Sequence, residues 1–279
     1  MSFEFPSLLE FGIEPAAAVL NRAFADYLVP IQSSPAILAH MARADSVDFA
    51  ASRVVVREGR AVGAALIARR GWTSRLAGMA IVPEARKQGV GRAVMTQLLN
   101  ESRARNDRAF VLEVIEQNEP AVKLYETCGF RKVRRLTGHA GRPPVPPADT
   151  ALPSLEEIDP RELARFVALH GLSDLPWQIS AETIAHAGAP SLAFRAGASA
   201  VLISDTAAPT VAIRALITDR AARGAGSSRA LMQSLFSRFP GKEWRASAIF
   251  PEEMGDAFTG AGFARTPLSQ WQMELPLVE

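Results

Sequence analysis

The sequence predicts an α/β protein built from two domains. Its 279 residues are 48% hydrophobic and 22% charged, which is typical of globular proteins, and the length suits two domains of ordinary size. Four prolines fall within residues 143–147, where neither a helix nor a central strand can form. We therefore predict a first domain at 1–142, a proline-rich linker at 143–150 and a second domain at 151–279.

The first half alternates between strand and helix patterns. Two apolar runs separated by Glu58-Gly59-Arg60 predict a hairpin, and the nearly continuous apolar run 109–115 predicts a strand buried on both faces. Apolar residues at helical spacing predict a helix over 91–105. The other predicted elements are a helix at 15–27, strands at 53–57, 61–69 and 76–82, a helix capped by Asn118 that ends at Gly129, and a strand opening at Phe130.

The second half begins like the first. Leu152-Pro153-Ser154-Leu155 echoes Phe5-Pro6-Ser7-Leu8, and a helical stretch over 160–170 follows the second copy. Short apolar runs within 194–217 then predict strands, a helix follows Gly226, and residues 244–250 predict another strand. The pattern suggests the same unit started twice.

Composition and charge exclude several classes of protein. A single cysteine, Cys128, leaves no disulfide framework and favours a reducing compartment, and the start of the chain has no secretory pattern, so a cytoplasmic location is expected. No apolar run reaches membrane-spanning length, and four scattered histidines make a metal site improbable. Residues 1–142 hold 20 Lys and Arg against 14 Asp and Glu (+6), and residues 143–279 hold 11 against 15 (−4). Without a basic stripe, this favours a small phosphorylated ligand over nucleic acid.

The segment from Val82 to Arg92 carries the main chemical signal. It lies between a predicted strand and a predicted helix, and its glycines allow the backbone to approach an anion closely. Free N–H groups at a helix N-terminus bind phosphates, and Arg86, Lys87 and Arg92 add positive charge. The segment therefore predicts a diphosphate cradle, although a glycine loop that only turns the chain has the same appearance.

Two motifs in order resemble the GCN5-related N-acetyltransferase (GNAT) superfamily. Arg86-Lys87-Gln88-Gly89-Val90-Gly91 matches the acetyl-CoA motif Arg/Gln-x-x-Gly-x-Gly/Ala. The segment from Asn118 to Phe130 matches the second pattern, Asn-x-x-Ala-x-x-Leu-Tyr-x-x-x-Gly-Phe. The resemblance covers residues 1–140 and implies a mixed, mostly antiparallel central sheet flanked by helices, with two central strands that splay apart.

The resemblance also implies acetyl-CoA as cofactor and coenzyme A as product. The main chain of Ala80, Ile81 and Val82 would pair with the pantetheine arm. The diphosphate would be held by the amides from Lys87 to Arg92. Carried over position by position, the implied cofactor-binding residues are Ala80, Ile81, Val82, Arg86, Lys87, Gln88, Gly89, Val90, Gly91, Arg92, Asn118 and Tyr125.

Acetyl transfer to an amine needs a neutral amine and a proton for the departing thiolate. Tyr125 matches the family tyrosine and is the predicted general acid. Glu113 lies on the preceding strand and is the preferred general base, as in the enzymes that acetylate the N-terminal alanine of a ribosomal protein and share the local Leu-Glu-Val sequence. A solvated or salt-bridged strand glutamate is the alternative for Glu113, and Glu84 and Glu116 are weaker candidates.

The second half resembles a degenerate copy of the same domain. In the predicted alignment Ala221 stands where Arg86 stands, with Arg220 and Arg223 beside it. Phe258 takes the place of Tyr125 and has no proton to donate. The second domain is therefore expected to be chemically inert, and its ability to bind the cofactor stays open.

The sequence as a whole predicts an acetyl-CoA-dependent N-acetyltransferase with one active domain. The expected acceptor is a small-molecule or peptide amine, with no nucleic-acid or membrane partner and with a homodimer as one possible state. A non-catalytic acyl-CoA sensor or assembly module is the alternative, because it could keep the diphosphate loop without turnover.

Overall fold

The computed structural model describes residues 3–147 and 149–278. Met1 and Ser2 of the predicted first domain, Ala148 of the predicted linker and Glu279 of the predicted second domain lie outside the described residues. Over the part of the chain that is described, no helix combines the length and apolar character needed to cross a bilayer.

Strands and helices alternate along most of the described chain. The strands are β1 (Arg53–Arg57), β2 (Arg60–Arg70), β3 (Thr73–Ile81), β4 (Ala109–Ile115), β5 (Arg131–Gly141), β6 (Glu156–Ile158), β7 (Leu192–Ala196), β8 (Ser199–Ile203), β9 (Thr210–Thr218), β10 (Glu243–Pro251) and β11 (Ala264–Pro276). The helices are α1 (Leu8–Phe11), α2 (Ile13–Ala23), α3 (Pro35–Ala44), α4 (Val90–Ala104), α5 (Glu119–Thr127), α6 (Pro160–His170), α7 (Ala181–Ala185), α8 (Ser227–Arg238) and α9 (Gly255–Thr259).

These elements form two compact units that are not two consecutive halves of the chain. Unit 1 takes in the chain up to Val133 together with the C-terminal segment from Trp271, and unit 2 runs from Arg134 to Gln270. β5 and β11 therefore each contribute residues to both units. This division differs from the predicted boundary at 142/143. The change of unit between Val133 and Arg134 falls inside β5, which continues to Gly141, just before the proline-rich segment.

Unit 1 contains a mixed sheet. The pairs β1–β2 and β2–β3 are antiparallel, and the pair β3–β4 is parallel. On its other side β4 neighbours β11, and Leu277 N donates a hydrogen bond to Arg108 O (2.8 Å) where this strand leaves the sheet. The predicted mixed, mostly antiparallel sheet flanked by helices is confirmed.

Buried polar groups fix the start of the parallel pair β3 and β4. Asp107 is 2% exposed, accepts a hydrogen bond from Ser74 Oγ (2.7 Å) and pairs with Arg105 Nη2 (3.2 Å). A buried carboxylate must be paired in this way, because leaving it alone in the interior is costly. The contacts tie β3, the end of α4 and the start of β4 together at one end of the sheet.

Helix boundaries in unit 1 follow local sequence signals. Asn118 caps α5, with its side chain accepting a hydrogen bond from Ala121 N (3.4 Å), as the sequence predicts. α4 presents Val94, Leu98 and Leu99 to the core. α2 ends at Ala23, earlier than the predicted end at Tyr27, because Phe24 donates the last helical hydrogen bond and the chain then turns.

Unit 2 repeats the same plan. β7, β8 and β9 run antiparallel, β10 pairs parallel with β9, and β5 runs antiparallel to β10. A core that includes Phe194, Phe236, Trp244 and Phe258, all almost fully buried, fills the space beneath this sheet. Unit 2 therefore has its own hydrophobic core, as an independent copy of the fold requires.

Candidate active site

The site in unit 1 begins where two parallel strands part. β3 and β4 pair from Thr73↔Ala109 to Leu76↔Leu112, yet the strands continue to Ile81 and Ile115. Within the described residues their ladder has no further pairs. On the opposite side of β3 the register with β2 jumps from Gly78 to Leu76, which leaves Ala77 as a bulge. A bulge bends a strand and ends local pairing, so the two strands diverge beyond this point.

The loop after β3 is shaped by two residues in the left-handed conformation. A short 3₁₀ turn, Pro83–Ala85, is followed by Lys87 at φ 59° and Gly89 at φ 79°, and Gly89 is the N-cap of α4. The first intrahelical bond runs from Ala93 N to Gly89 O (3.0 Å). The preceding amides of Val90, Gly91 and Arg92 are therefore not used by the helix, and they supply the donors of an anion cradle.

Gly91 allows the first turn of α4 to lie close to α5. A Cβ atom at this position would come within 3.1 Å of Leu124 Cδ2, which is tighter than ordinary van der Waals contact. A larger residue at Gly91 would therefore require the Leu124 side chain to shift.

Arg86 holds the loop rather than facing a ligand. Its guanidinium makes two hydrogen bonds with the Asp26 carboxylate (2.6 and 2.7 Å). It also donates to Ala23 O (2.9 Å) at the end of α2 and to Ile81 O (2.9 Å) at the end of β3. The hydrogen bonds from Arg86 lower the pKa of Asp26, and the carboxylate raises the pKa of Arg86. Gln88 is held in a similar way, between Arg57 Nη1 (2.6 Å) and Glu84 O (2.7 Å).

These elements enclose a cleft of about 680 Å³. Of the predicted cofactor-binding residues, its walls include Ala80, Ile81, Arg86, Lys87, Gly89, Val90, Gly91, Arg92 and Asn118. Val82, Gln88 and Tyr125 are not among the lining residues. The wall formed by Phe24, Asp26, Tyr27 and Leu28 was not predicted from the sequence. The only sequence signal for it is the position of these residues just after the first long helix, which is too general to indicate a site.

Tyr125 is buried on α5, one residue beyond a residue of the cleft wall. It is 6% exposed and packs edge-on against Phe130, with ring centroids 6.0 Å apart. Burial raises the pKa of its phenol far above the usual range, and the neighbouring Tyr27 and Cys128 raise it further. Tyr125 therefore keeps its proton at neutral pH, where its hydroxyl is able to donate a hydrogen bond.

Glu113 has a partner that differs from its predicted role. Its Oε2 atom accepts hydrogen bonds from Arg75 Nε and Nη2, both at 2.7 Å, and the two side chains are 3% and 6% exposed. The structure therefore shows the salt-bridged arrangement that was the alternative for Glu113, and the general-base role stays a prediction. Since Glu113 as a whole residue is partly exposed, its exposed atoms belong mainly to the main chain, beside the gap between β3 and β4.

Unit 2 contains the same three backbone features, a strand bulge and two left-handed residues before a helix. They align with unit 1 at positions that differ from the predicted alignment. Its β8–β9 ladder jumps so that Arg214 forms the bulge, Gly224 (φ 80°) takes a left-handed conformation, and Gly226 (φ 81°) caps α8. These three correspond to Ala77, Lys87 and Gly89, and each pair is separated by the same number of residues.

This register places Arg223, not Ala221, at the position of Arg86, which corrects the predicted alignment. Arg223 Nη2 donates a hydrogen bond to His170 O at the end of α6, just as Arg86 Nη2 donates to Ala23 O at the end of α2. The predicted match of Phe258 to Tyr125 agrees with the structure, since both lie one residue beyond a residue that lines a cavity. Phe258 is fully buried and has no proton to donate.

Comparison with known proteins agrees with this geometry. The family model of the Acetyltransferase (GNAT) family matches residues 17–130. No curated protein gives a significant match. Among solved structures, the chain is similar to a GCN5-related N-acetyltransferase from Sphaerobacter thermophilus (15% identity, TM-score 0.69, covering 99% of this chain and 96% of that one).

Two further solved structures share the fold over almost the whole chain. One is a tandem GNAT protein from the clavulanic acid biosynthesis pathway, solved without acetyl-CoA (16% identity, TM-score 0.64, covering 100% of this chain and 99% of that one). The other is a GCN5-related N-acetyltransferase from Kribbella flavida (16% identity, TM-score 0.64, covering 99% and 72%). At these identities the likeness shows a shared fold.

The pKa of the Asp26 carboxyl depends on its hydrogen bonds with Arg86. Replacing Arg86 with Gln removes the charged donors, so the pKa of the Asp26 carboxyl should rise toward its ordinary value of about 3.9. Because the pKa is depressed in the folded protein, the contribution of the pair is present above that ordinary value and is lost as the pH falls through the folded pKa. Carboxyl-carbon NMR titration measures the change.

Asp159 provides the matched control for this titration. Hydrogen bonds from Arg161 lower the pKa of Asp159 to about 2, and that pair lies in unit 2. The pKa of Asp159 should not change in Arg86→Gln. An unchanged pKa of Asp26 in this variant would show that the Arg86–Asp26 pair does not form in solution.

Proposed function

We propose that this chain, whose residues 17–130 match the model of the GNAT family, is an acetyl-CoA-dependent N-acetyltransferase with its active site in unit 1. The observation that carries the proposal is the divergence of β3 and β4 beside a loop whose amides converge on one cleft. Open main chain next to an anion cradle suits a long diphosphate ester that ends in a reactive group. The acceptor is a small-molecule or peptide amine.

The residues present fit acetyl-CoA. The left-handed Gly89 leaves open space where a side chain would stand, since no atom lies within 4 Å of a Cβ placed there. The amides that follow it supply the donors, while Lys87 and Arg92 add positive charge on the wall of the cleft. Ala80 and Ile81 line the same cleft, and in this proposal their main chain pairs with the pantetheine arm.

Acetyl-CoA supplies a thioester whose carbonyl carbon the amine attacks directly, so that a C–N bond forms, the C–S bond breaks and the amine loses a proton. Tyr125 holds its proton at Oη through the whole neutral range, because burial disfavours the phenolate. The same burial makes complete loss of that proton unfavourable. The main contribution of Tyr125 is therefore a hydrogen bond that stabilises developing negative charge on the leaving sulfur.

The pair of Arg75 and Glu113 has a positioning role in this proposal. The two buried side chains join β3 to β4 immediately at the point where the ladder ends. In this proposal the pair holds the strands and transfers no proton, and the acceptor amine reaches the cleft in its neutral form, with its proton lost to solvent.

A non-catalytic acyl-CoA sensor is the second candidate, and one observation favours it. Neither Tyr125 nor Glu113 is among the residues that line the cleft. A protein that only binds the ligand would need the loop and the open strand edges but no proton donor. Separate measurements of binding and turnover distinguish the two functions.

Tyr125→Phe should separate binding from chemistry. The variant keeps the ring that packs on Phe130 and loses only the hydroxyl, so kcat should fall by about 10²-fold or more while the Kd for acetyl-CoA changes little. Calorimetry with acetyl-CoA measures binding, and release of free thiol with a panel of small and N-terminal peptide amines measures turnover.

The binding-defective control is the double variant Arg86→Glu, Gly89→Glu, which puts a carboxylate at the left-handed N-cap of α4 and removes the guanidinium that holds the loop to Asp26. It should abolish both turnover and binding at that unit. Tight binding by the wild type with no turnover on any amine would support the sensor, and no binding at all would contradict both functions.

A double-mutant cycle tests the roles of Arg75 and Glu113. Either Arg75→Met or Glu113→Gln removes one charge of the buried pair, so each should lower the free energy of unfolding by about 3 kcal/mol, and the double variant should recover part of that loss. Urea denaturation measures the stability. In Glu113→Gln the dependence of kcat/KM on pH should keep the shape of the wild type.

The pH profile separates positioning from proton transfer. An acidic limb present in the wild type and absent in Glu113→Gln, with stability largely retained, would show that Glu113 takes the amine proton after all. Additive losses in the double variant would show that the two side chains act independently.

A further inference from the structure

His139 is a histidine in the core of unit 2 that the proposed reaction does not use. It lies near the end of β5 and is 2% exposed. Its ring stacks on the ring of Phe258 in α9, with centroids 4.8 Å apart and planes 13° from parallel. A Cβ atom on Gly255, the first residue of α9, would lie 3.6 Å from His139 Nε2. The start of α9 and its buried phenylalanine therefore both lie against the imidazole.

The imidazole has a buried nitrogen without a hydrogen bond. Within the described residues, His139 Nδ1 is shielded from solvent and no group is positioned to pair with it. Thr137 Oγ1, two residues earlier on the same face of β5, is also buried and unpaired. A protonated imidazole is a donor at both nitrogens, so the cation would bury an N–H without an acceptor, which is costly. These surroundings favour the neutral base.

The charged groups on the neighbouring elements do not offset that cost. Arg245 on β10 and Asp256 on α9 are exposed. From β11, Arg265 acts on the imidazole, and the Oε1 atom of Glu252 lies between Arg265 (2.8 Å) and Arg135 (3.7 Å), so its negative charge is already balanced. Burial lowers the pKa of the imidazole, and the positive charge of Arg265 lowers it further.

The ladder between β5 and β10 is interrupted beside this ring. Ala246 pairs with His139 and Phe250 with Thr137, so residues 247–249 of β10 have only Gly138 opposite them. Such a bulge takes main-chain groups out of the ladder. β5 is therefore held here by fewer main-chain hydrogen bonds, and the packing of the imidazole on α9 contributes a larger share of the attachment.

α9 also forms one side of a cavity in unit 2. The cavity has a volume of about 270 Å³, and Met254 and Ala257 line it from the α9 side. Its other walls are largely apolar and include Val167 of α6 and Leu216 of β9. A displacement of α9 from β5 would therefore open this cavity.

We infer that His139 is an acid-sensitive switch in unit 2: the neutral imidazole holds α9 against β5, and uptake of a proton from solvent releases α9 and opens the cavity beside it. The pKa of His139 is below its ordinary value of about 6.5 in the packed form, so the released form binds the proton more tightly. The packed form is thus fully stable above about pH 6.5. It loses stability as the pH falls from there to the pKa of the packed form.

Hydrogen exchange of the full chain, read by NMR from about pH 7.5 down to about pH 5, tests the inference. The amides of Gly260, Ala261 and Phe263 each donate to a carbonyl of α9 and report its release. After correction for the intrinsic effect of pH on exchange, their opening constant should rise by up to about tenfold per pH unit below pH 6.5. Amides 164–170 in α6 should show no such rise.

Two variants assign the effect to His139. His139→Phe keeps an aromatic ring on Phe258 and takes up no proton, so the rise should disappear. His186→Gln removes an exposed histidine of unit 2 and should keep it. Should His139→Phe fail to fold, the ring resonances of His139 in the wild type decide, and a pKa below 6.5 is expected. The same rise in His139→Phe, or a His139 that titrates at or above 6.5, would overturn the inference.

Discussion

The candidate active site depends on one constraint, which is that the parallel ladder between β3 and β4 stops at Leu76 and Leu112. The bulge at Ala77 bends β3 away, and the buried pair of Arg75 and Glu113 joins the strands just before they part. Main-chain groups that would otherwise be satisfied within the sheet are then open to a ligand. The loop from Pro83 to Gly89 follows directly and directs the first amides of α4 at the same cleft.

The two units use the same backbone device with different side chains. Each has a bulge, a left-handed glycine at the helix N-cap and an arginine that ties the loop to the end of an earlier helix. Unit 1 adds Tyr125 and a wide cleft, whereas unit 2 has Phe258 and a smaller cavity with apolar walls. The two units therefore share a backbone geometry, and of the two equivalent positions only that of unit 1 carries a phenol.

Features set by local sequence could be predicted, and features set by distant partners could not. β1, β4, α6 and the Asn118 cap follow from periodicity and capping residues, and the cradle follows from a motif whose glycines have local conformational roles. The division into units differs from the predicted boundary because the positions of β5 and β11 in the sheet are long-range properties. Arg223 was missed because the same Gly-x-Gly spacing occurs in unit 2 two positions earlier relative to its helix, and only the left-handed conformations reveal the register. The partner of Glu113 lies on another strand, so no local pattern indicates it.

Amide hydrogen exchange, read by NMR with and without coenzyme A, tests the central claim most directly. In the free protein, the amides of 113–115 on the β3 side of β4 should exchange faster than the β3-facing amides of 110–112, because the ladder with β3 ends between them, whereas amides that face β11 should stay protected. Coenzyme A should slow exchange at 113–115, at 79–81 and at the loop amides 87–92. Equal protection along the whole of β4 in the free protein, or binding of coenzyme A that leaves all three segments unchanged, would contradict the account.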